Sequence, residues 1–400
     1  MLFQGVVVSG HWVDLRVRNG QIEAIRPVSQ QGIAALHPEE GESVVLGGML
    51  TPHLAEPHCH LDAALTGERS PNRSGTLVEG IENWARIRDE LTHEDVTARA
   101  RRAIDWYRSF GTTRIRTHVD TASEVAVDAL LSLRDALKGQ VELQVVAFPQ
   151  EGILRAPGRE EAWEQAVAKG CDAVGAIPHF ERTVEEGWRS VRMAFALADK
   201  YGCQVDLHCD ETDDPMSRNL EVACQEALQR GWADKVIAGH CTAMHSYPDP
   251  YAAKIIELVV ASGVQVVANP LDNIVLQGRY DGYPKRRGIT RVDELWAAGA
   301  TVGIGHDSVM DPWYRLGTAN MVDAAYMLVH VAQLTSEDEM RRVFGTLCGD
   351  NHRCFGGAPV LEEGATATFL WWDAADPIEV LRSRPRPRVF QDGAEVKIES

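Results

Sequence analysis

Two histidines flank a cysteine at His58-Cys59-His60. Side chains two apart on a strand point to the same side, so both imidazoles can reach one ion. Neutral imidazole is the commonest side-chain metal ligand near neutral pH. Further histidines at 118, 179, 208, 240 and 306 also fall where apolar runs end, and Asp307 follows the last of them. If those runs are successive barrel strands, His58, His60, His208, His240 and Asp307 converge on the barrel mouth, where such folds carry their chemistry. Three neutral imidazoles plus one carboxylate suit a single Zn2+ or Fe2+ with a position left for water. An ion of this kind lowers the pKa of its water from about 15.7 to about 7, which points to hydrolysis.

The elements that must position these groups read as follows. Residues 1–48 carry short strand patterns at Gly5–Val8, Trp12–Arg18 and Gln21–Ile25, the last two joined by Asn19-Gly20. From Thr51 to about Cys354, apolar strands alternate with amphipathic helices, the signature of βα units around a parallel sheet. The strands are expected to end near Glu56–His60, Arg116–Asp120, Ala147–Gln150, Ile177–Phe180, Leu207–Glu211, Gly239–Cys241, Ala268–Pro270 and Gly305–Asp307. Helices are expected at Glu160–Lys169, Val184–Tyr201, Asn219–Arg230, Tyr251–Ser262 and Thr318–Leu334, several closed by glycine at 170, 202, 231 or 263. After Gly356 short strands return at Thr366–Trp371 and Val396–Ile398. The expected fold is thus an α/β protein: a (β/α)8 TIM-like barrel over 49–355, with a small β-sandwich domain built from 1–48 and 356–400. The two end pieces must combine, since neither alone has enough strands to bury a face.

Composition narrows the function classes. The 400 residues, 44% hydrophobic and 24% charged, are ample for one large core and a satellite. Forty basic against fifty-eight acidic residues give a formal charge of -18, which repels phosphate polymers, so no nucleic-acid partner is expected and a nucleobase substrate would be free. No apolar stretch approaches the roughly 20 residues of a spanning helix, so no membrane partner is expected. Eight cysteines lie scattered without a C-x-x-C pair, which suggests neither disulfides nor a cysteine zinc site. An unprocessed cytoplasmic protein is expected. The seven lysines all lie away from the strand ends, which argues against a two-metal site bridged by a carboxylated lysine. His37-Pro38-Glu39 has H-x-E spacing, but no P-C-x-x-C follows, so the cytidine-deaminase fold is disfavoured.

Longer blocks surround these residues: Glu56-Pro57-His58-Cys59-His60-Leu61-Asp62, Arg116-Thr117-His118-Val119-Asp120, Phe148-Pro149-Gln150-Glu151-Gly152-Ile153, His208-Cys209-Asp210-Glu211 and Asp311-Pro312-Trp313-Tyr314. Through them the chain resembles the bacterial cytosine deaminases of the amidohydrolase superfamily. The resemblance implies one divalent metal ion (Zn2+ or Fe2+) on His58, His60, His208 and Asp307, with His240 beside the hydroxide and Glu211 as proton shuttle. It implies that Gln150 reads the amide edge of a free base, and it makes Phe148 and Trp313 candidate walls for the ring. His118, Asp120, His179, Asp210 and His306 are expected to support these groups, and the family suggests a homo-oligomer.

One departure stands out. The family usually reads His-Asp-Asp at the end of strand eight, whereas this chain reads His306-Asp307-Ser308. By the resemblance, the missing carboxylate would lie beside C5 of the ring, so serine leaves room for a 5-methyl group. The expected reaction is 5-methylcytosine to thymine, cytosine to uracil, or both, with release of ammonia. Alternatives on the same scaffold are deamination of N-isopropylammelide, isoguanine or a creatinine-like amidine; a non-catalytic metal-binding barrel is a further one.

Overall fold

The computed structural model describes residues 1–28 and 35–398; segments 29–34 and 399–400 of the expected end-built unit lie outside the described residues. The strands are β1 (Leu2–Val8), β2 (His11–Arg18), β3 (Gln21–Pro27), β4 (Val44–Leu46), β5 (Met49–Thr51), β6 (Leu54–Cys59), β7 (Thr112–Asp120) and β8 (Glu142–Phe148). They continue with β9 (Ala173–Ala176), β10 (Gln204–Cys209), β11 (Val236–His240), β12 (Gln265–Ala268), β13 (Val302–Ile304), β14 (Phe369–Trp372), β15 (Arg388–Gln391) and β16 (Ala394–Val396).

Strands β6 to β13 form one parallel sheet in sequence order. The ring closes where the Asp307 N–H donates to the His58 carbonyl at 2.9 Å and Cys59 bridges Asp307 in parallel register. Two buried side chains staple that seam. Glu56 accepts from the His58 N–H at 2.9 Å, the His306 N–H at 3.0 Å and the Tyr107 hydroxyl at 2.9 Å. Asn351 donates to the carbonyls of Ala55 and Ile304 and accepts from the Ile304 N–H. These strands are buried on both faces, as a sheet wrapped in helices must be.

The helices start and stop where local chemistry dictates. Val184–Tyr201 begins at Thr183, whose side chain accepts from the Glu186 N–H, and ends at Gly202 with φ 70°. Asn219–Arg230 ends at Gly231 in the same left-handed conformation. The fourth barrel strand stops at Ala176, earlier than expected, and Pro178–Phe180 is a 3-10 turn; proline has no N–H to continue the ladder. Pro270 likewise opens a short helix, Pro270–Leu276, immediately after β12. The last predicted helix is shorter, Met321–Val331, because the Thr318 and Ala319 N–H groups turn inward onto His306 Nε2 at 3.2 and 3.1 Å.

The chain ends build a single mixed sheet in the order β16-β15-β14-β5-β1-β2-β3, with β4 beside β1. It is strongly bent. Phe3 on β1 and Phe390 on β15 have ring centroids 5.2 Å apart, although β5 and β14 separate their strands in the hydrogen-bonded order. A flat sheet would hold them roughly 14 Å apart. Beyond β3 the curl meets the approach to β14, where the Ile22 N–H donates to the Ala365 carbonyl. One bent sheet thus supplies the layers of the expected sandwich, enclosing a core of Phe3, Leu15, Ile22, Phe369 and Phe390.

Candidate active site

The C-terminal ends of the barrel strands carry a tight group of buried imidazoles. Ligand-capable atoms of His58, His208 and His240 all lie within 4.8 Å of one another, as do those of His58, His60 and His118. Nε2 of His60 and Nε2 of His208 are 3.0 Å apart. Asp307 Oδ1 lies 3.6 Å from His60 Nε2 and 3.8 Å from His58 Nε2. Burial, reinforced by mutual repulsion, holds His58, His60, His208 and His240 well below the ordinary imidazole pKa, so these rings are neutral donors of electron pairs.

Their hydrogen bonding separates them. Both ring nitrogens of His58 and Nδ1 of His208 are buried without a hydrogen-bond partner. Such atoms are costly unless something else occupies them, and a cation is the species that neutral imidazole nitrogens and a carboxylate oxygen would bind together. His118 Nε2 instead lies 3.2 Å from Asp206 Oδ1, an oxygen pair also held by Arg116 at 2.9 Å. His240 Nδ1 accepts from Asn273 Nδ2 at 3.0 Å, and Asn269 Nδ2 sits 3.2 Å away. Neither asparagine is marked by any spacing in the sequence.

Backbone strain turns these groups inward. His240, Asp307 and Asp210 have φ of 66°, 69° and 52° without being glycine, a conformation that costs on the order of 1–3 kcal/mol each and clusters at functional sites. Room is made by true glycines: a β-carbon at Gly239 would lie 3.0 Å from the His58 ring, and one at Gly305 would meet Asn269 Oδ1.

A small cleft, with about 260 Å3 of atom-free space, opens beside the imidazoles. Gln150, Glu211, His240, Asp307, Ser308 and Trp313 border it, with Leu77, Leu276 and Asp272. Glu211 is buried, and burial pushes its carboxyl up to about 8. Its Oε1 is 3.5 Å from His240 Nδ1. The Ser308 hydroxyl donates to Asp272 Oδ2 at 2.6 Å. Asp272 was not legible as a site residue, because it sits within the short helix after β12 and not at a strand end.

Phe148 departs from its expected place as a wall of the cleft. It is buried behind His208, its ring stacked on that imidazole with centroids 3.9 Å apart, and it does not border the cleft. Trp313 does, with its ring 5.9 Å from that of His60. Of the supporting groups, Asp120 accepts from Trp84 Nε1 and Arg88, His179 Nδ1 accepts from the Glu211 N–H, and Asp210 caps the helix Asn219–Arg230 through the Asn219 and Leu220 N–H groups. A larger hollow, about 1510 Å3 by the same measure, lies between the bent sheet and the barrel. Its lining charges Arg341 and Asp376 pair with each other, and it holds no cluster that could do chemistry.

This fold and this constellation define a metal-type hydrolase barrel. The chain matches the amidohydrolase family over residues 46–388, and it belongs to that family. It is similar to 5-methylcytosine deaminase from Klebsiella pneumoniae, solved liganded with phosphonocytosine and with 5-fluorocytosine, at 37% identity and TM-score 0.93 over 100% of this chain and 98% of that one. N-isopropylammelide isopropylaminohydrolase from Burkholderia multivorans superposes with TM-score 0.82 at 26% identity, over 99% and 97%. Pterin deaminase from Rhizobium rhizogenes is 28% identical over 80% of this chain and 73% of its own length. All eight cysteines are free, and among the described residues no helix is long and apolar enough to cross a membrane.

Proposed function

We propose that this protein is a hydrolytic deaminase of free cytosine-type bases that converts 5-methylcytosine to thymine and cytosine to uracil. The observation that carries the reading is the meeting of unpartnered imidazoles, Asp307, Glu211 and Gln150 around one cleft with Ser308 at its side. Likeness to the Klebsiella pneumoniae enzyme over the whole chain supports it.

His58, His60, His208 and Asp307 are the residues that would hold a divalent ion, Zn2+ or Fe2+. The unpartnered nitrogens of His58 and His208 and the short His60–His208 separation support this set, whereas His118, though its Nδ1 is also unpartnered, is turned by Nε2 onto Asp206, and His240 is held by Asn273. Bound there, such an ion brings the pKa of a coordinated water from about 15.7 down to about 7. The protein supplies the rest. Glu211 in its ionised form takes a proton from the attacking water, and the burial that pushes its carboxyl up to about 8 favours the protonated form that then delivers it to ring N3. Asp307 takes the proton remaining on the attacking oxygen, that proton passes to the exocyclic amine, the C4–N bond breaks, and ammonia leaves while C4 becomes a carbonyl. His240, fixed by Asn273, faces Glu211 and Asp307 and stabilises the charge that develops on the attacking oxygen. Gln150 offers one donor and one acceptor to O2 and N1–H of the base. Trp313 walls the ring, and Ser308 leaves space beside C5. A free small-molecule base, a cytoplasmic location and a homo-oligomer belong to the same reading.

Ammonia release and product analysis on 5-methylcytosine, cytosine, N-isopropylammelide and pterin test it with metal-loaded protein. Turnover of the cytosines ahead of the others is expected. Turnover confined to the triazine or the pterin would replace this reading with that substrate.

A further inference from the structure

We propose that Asp272 binds the exocyclic amine of the base and so distinguishes aminopyrimidine substrate from pyrimidinedione product. The inference rests on the deaminase reading and adds a residue to it. Asp272 is buried, borders the cleft, and holds the Ser308 hydroxyl through Oδ2 at 2.6 Å. Its other oxygen, Oδ1, is buried with no hydrogen-bond partner. A buried carboxyl oxygen left unpaired, on a residue that borders the cleft, is open to a donor from the ligand.

The hydrogen-bond inventory of the base identifies that donor. A cytosine offers N–H groups only at N1 and at the exocyclic amine, and the Gln150 carbonyl takes N1–H. The amine therefore remains for an acceptor on the opposite side. Ser308 follows Asp307 directly in the chain, so the Ser308–Asp272 pair lies beside the group that would anchor the attacking water. Water and amine share the same carbon, C4, so that is also where the amine sits. Oδ1 is an acceptor whether the 2.6 Å bond runs from Ser308 to an ionised Asp272 or from a protonated Oδ2 to Ser308. A proton on Oδ1 itself would bury a hydroxyl with nothing to receive it. After hydrolysis C4 carries a carbonyl oxygen, an acceptor facing an acceptor, and that mismatch favours release of the product.

Asp272→Asn and Asp272→Val separate this role from a merely structural one. For each metal-loaded protein the measurements are kcat and KM on 5-methylcytosine, thymine affinity by calorimetry, metal content and thermal midpoint. Both variants are expected to lower kcat/KM by about ten- to hundredfold, the loss of one charged hydrogen bond. Only Asn, whose Nδ2 can donate to O4, is expected to tighten thymine, by about tenfold relative to wild type. Should Asn fail to fold, Val still reads the kcat/KM arm. Unchanged kcat/KM, or thymine weakened alike by both variants, overturns the role of Asp272. Absence of any wild-type turnover of the cytosines overturns the deaminase reading itself, and this inference with it.

Discussion

Ser308→Asp puts the C5 argument to a quantitative test. Ser308 is buried, with its hydroxyl 2.6 Å from Asp272 Oδ2, so a carboxylate at 308 enters a filled space already bordered by Asp272, Asp307 and Glu211. In the wild type, burying the 5-methyl group is worth about 0.8 kcal/mol, or roughly a fourfold preference for the methylated base. Forcing the same methyl against an added carboxylate costs about 1–3 kcal/mol, roughly 5- to 150-fold in the opposite sense. The ratio of kcat/KM for 5-methylcytosine over cytosine should therefore fall by about 20-fold or more. Steady-state ammonia release on both bases gives the ratio, with metal content as the control for site integrity. If the variant still binds metal and still turns over cytosine at an unchanged ratio, the space beside residue 308 does not set methyl specificity.

Other perturbations reach other parts of the site. Glu211→Gln should lower kcat by about 10²–10⁴-fold while metal content stays at the wild-type level, since the side chain moves protons and holds no ion; retained turnover would remove its shuttle role. Glu56→Gln replaces an acceptor of three donors with a group that offers its own N–H to them. Above about pH 8, where Glu56 is ionised, it should cost about 3 kcal/mol or more in urea unfolding and weaken metal retention, whereas Tyr107→Phe should cost about 1 kcal/mol. In metal-free protein, burial raises Glu56 and Glu211 from 4.5 to about 8, so between those values the folded state binds more protons than the unfolded chain. Below about 6.5 the buried neutral histidines act in the opposite sense, so it is from about 6.5 to about 8 that stability should fall as pH rises, levelling off above, a slope that Glu211→Gln makes shallower in urea titrations. A flat or rising profile over that window would contradict the burial argument.

The barrel was legible because its period is simple. Alternation brings His58, on β6, and His60, just past its end, to one site, and glycines 202, 231 and 263 stop three helices where sequence reading puts them. Residues set by tertiary approach left no such trace. Asn269 and Asn273 reach His240, and Asp272 the cleft, because Pro270 starts a helix directly after β12, and nothing in their spacing predicts which side chains that turn presents. Asn351 staples β6 to β13 from far along the chain. The left-handed φ of His240 and Asp307 is invisible in residues that are not glycine. Phe148 sits at a strand end among site residues, yet its ring packs behind His208, a choice of face that composition does not encode. The bent sheet was seen only in part, because β15 and the short β4 and β5 lack a clear alternating pattern.

The central claim is that one divalent ion on His58, His60, His208 and Asp307 serves the cleft that holds the base. Stripping the protein with a chelator and reloading it in steps, while recording bound metal and thymine formed from 5-methylcytosine, tests this most directly. Activity rising in proportion to metal and saturating at about one ion per chain is the predicted result. Activity that survives complete stripping, or fully loaded protein that yields neither thymine nor ammonia, would contradict it.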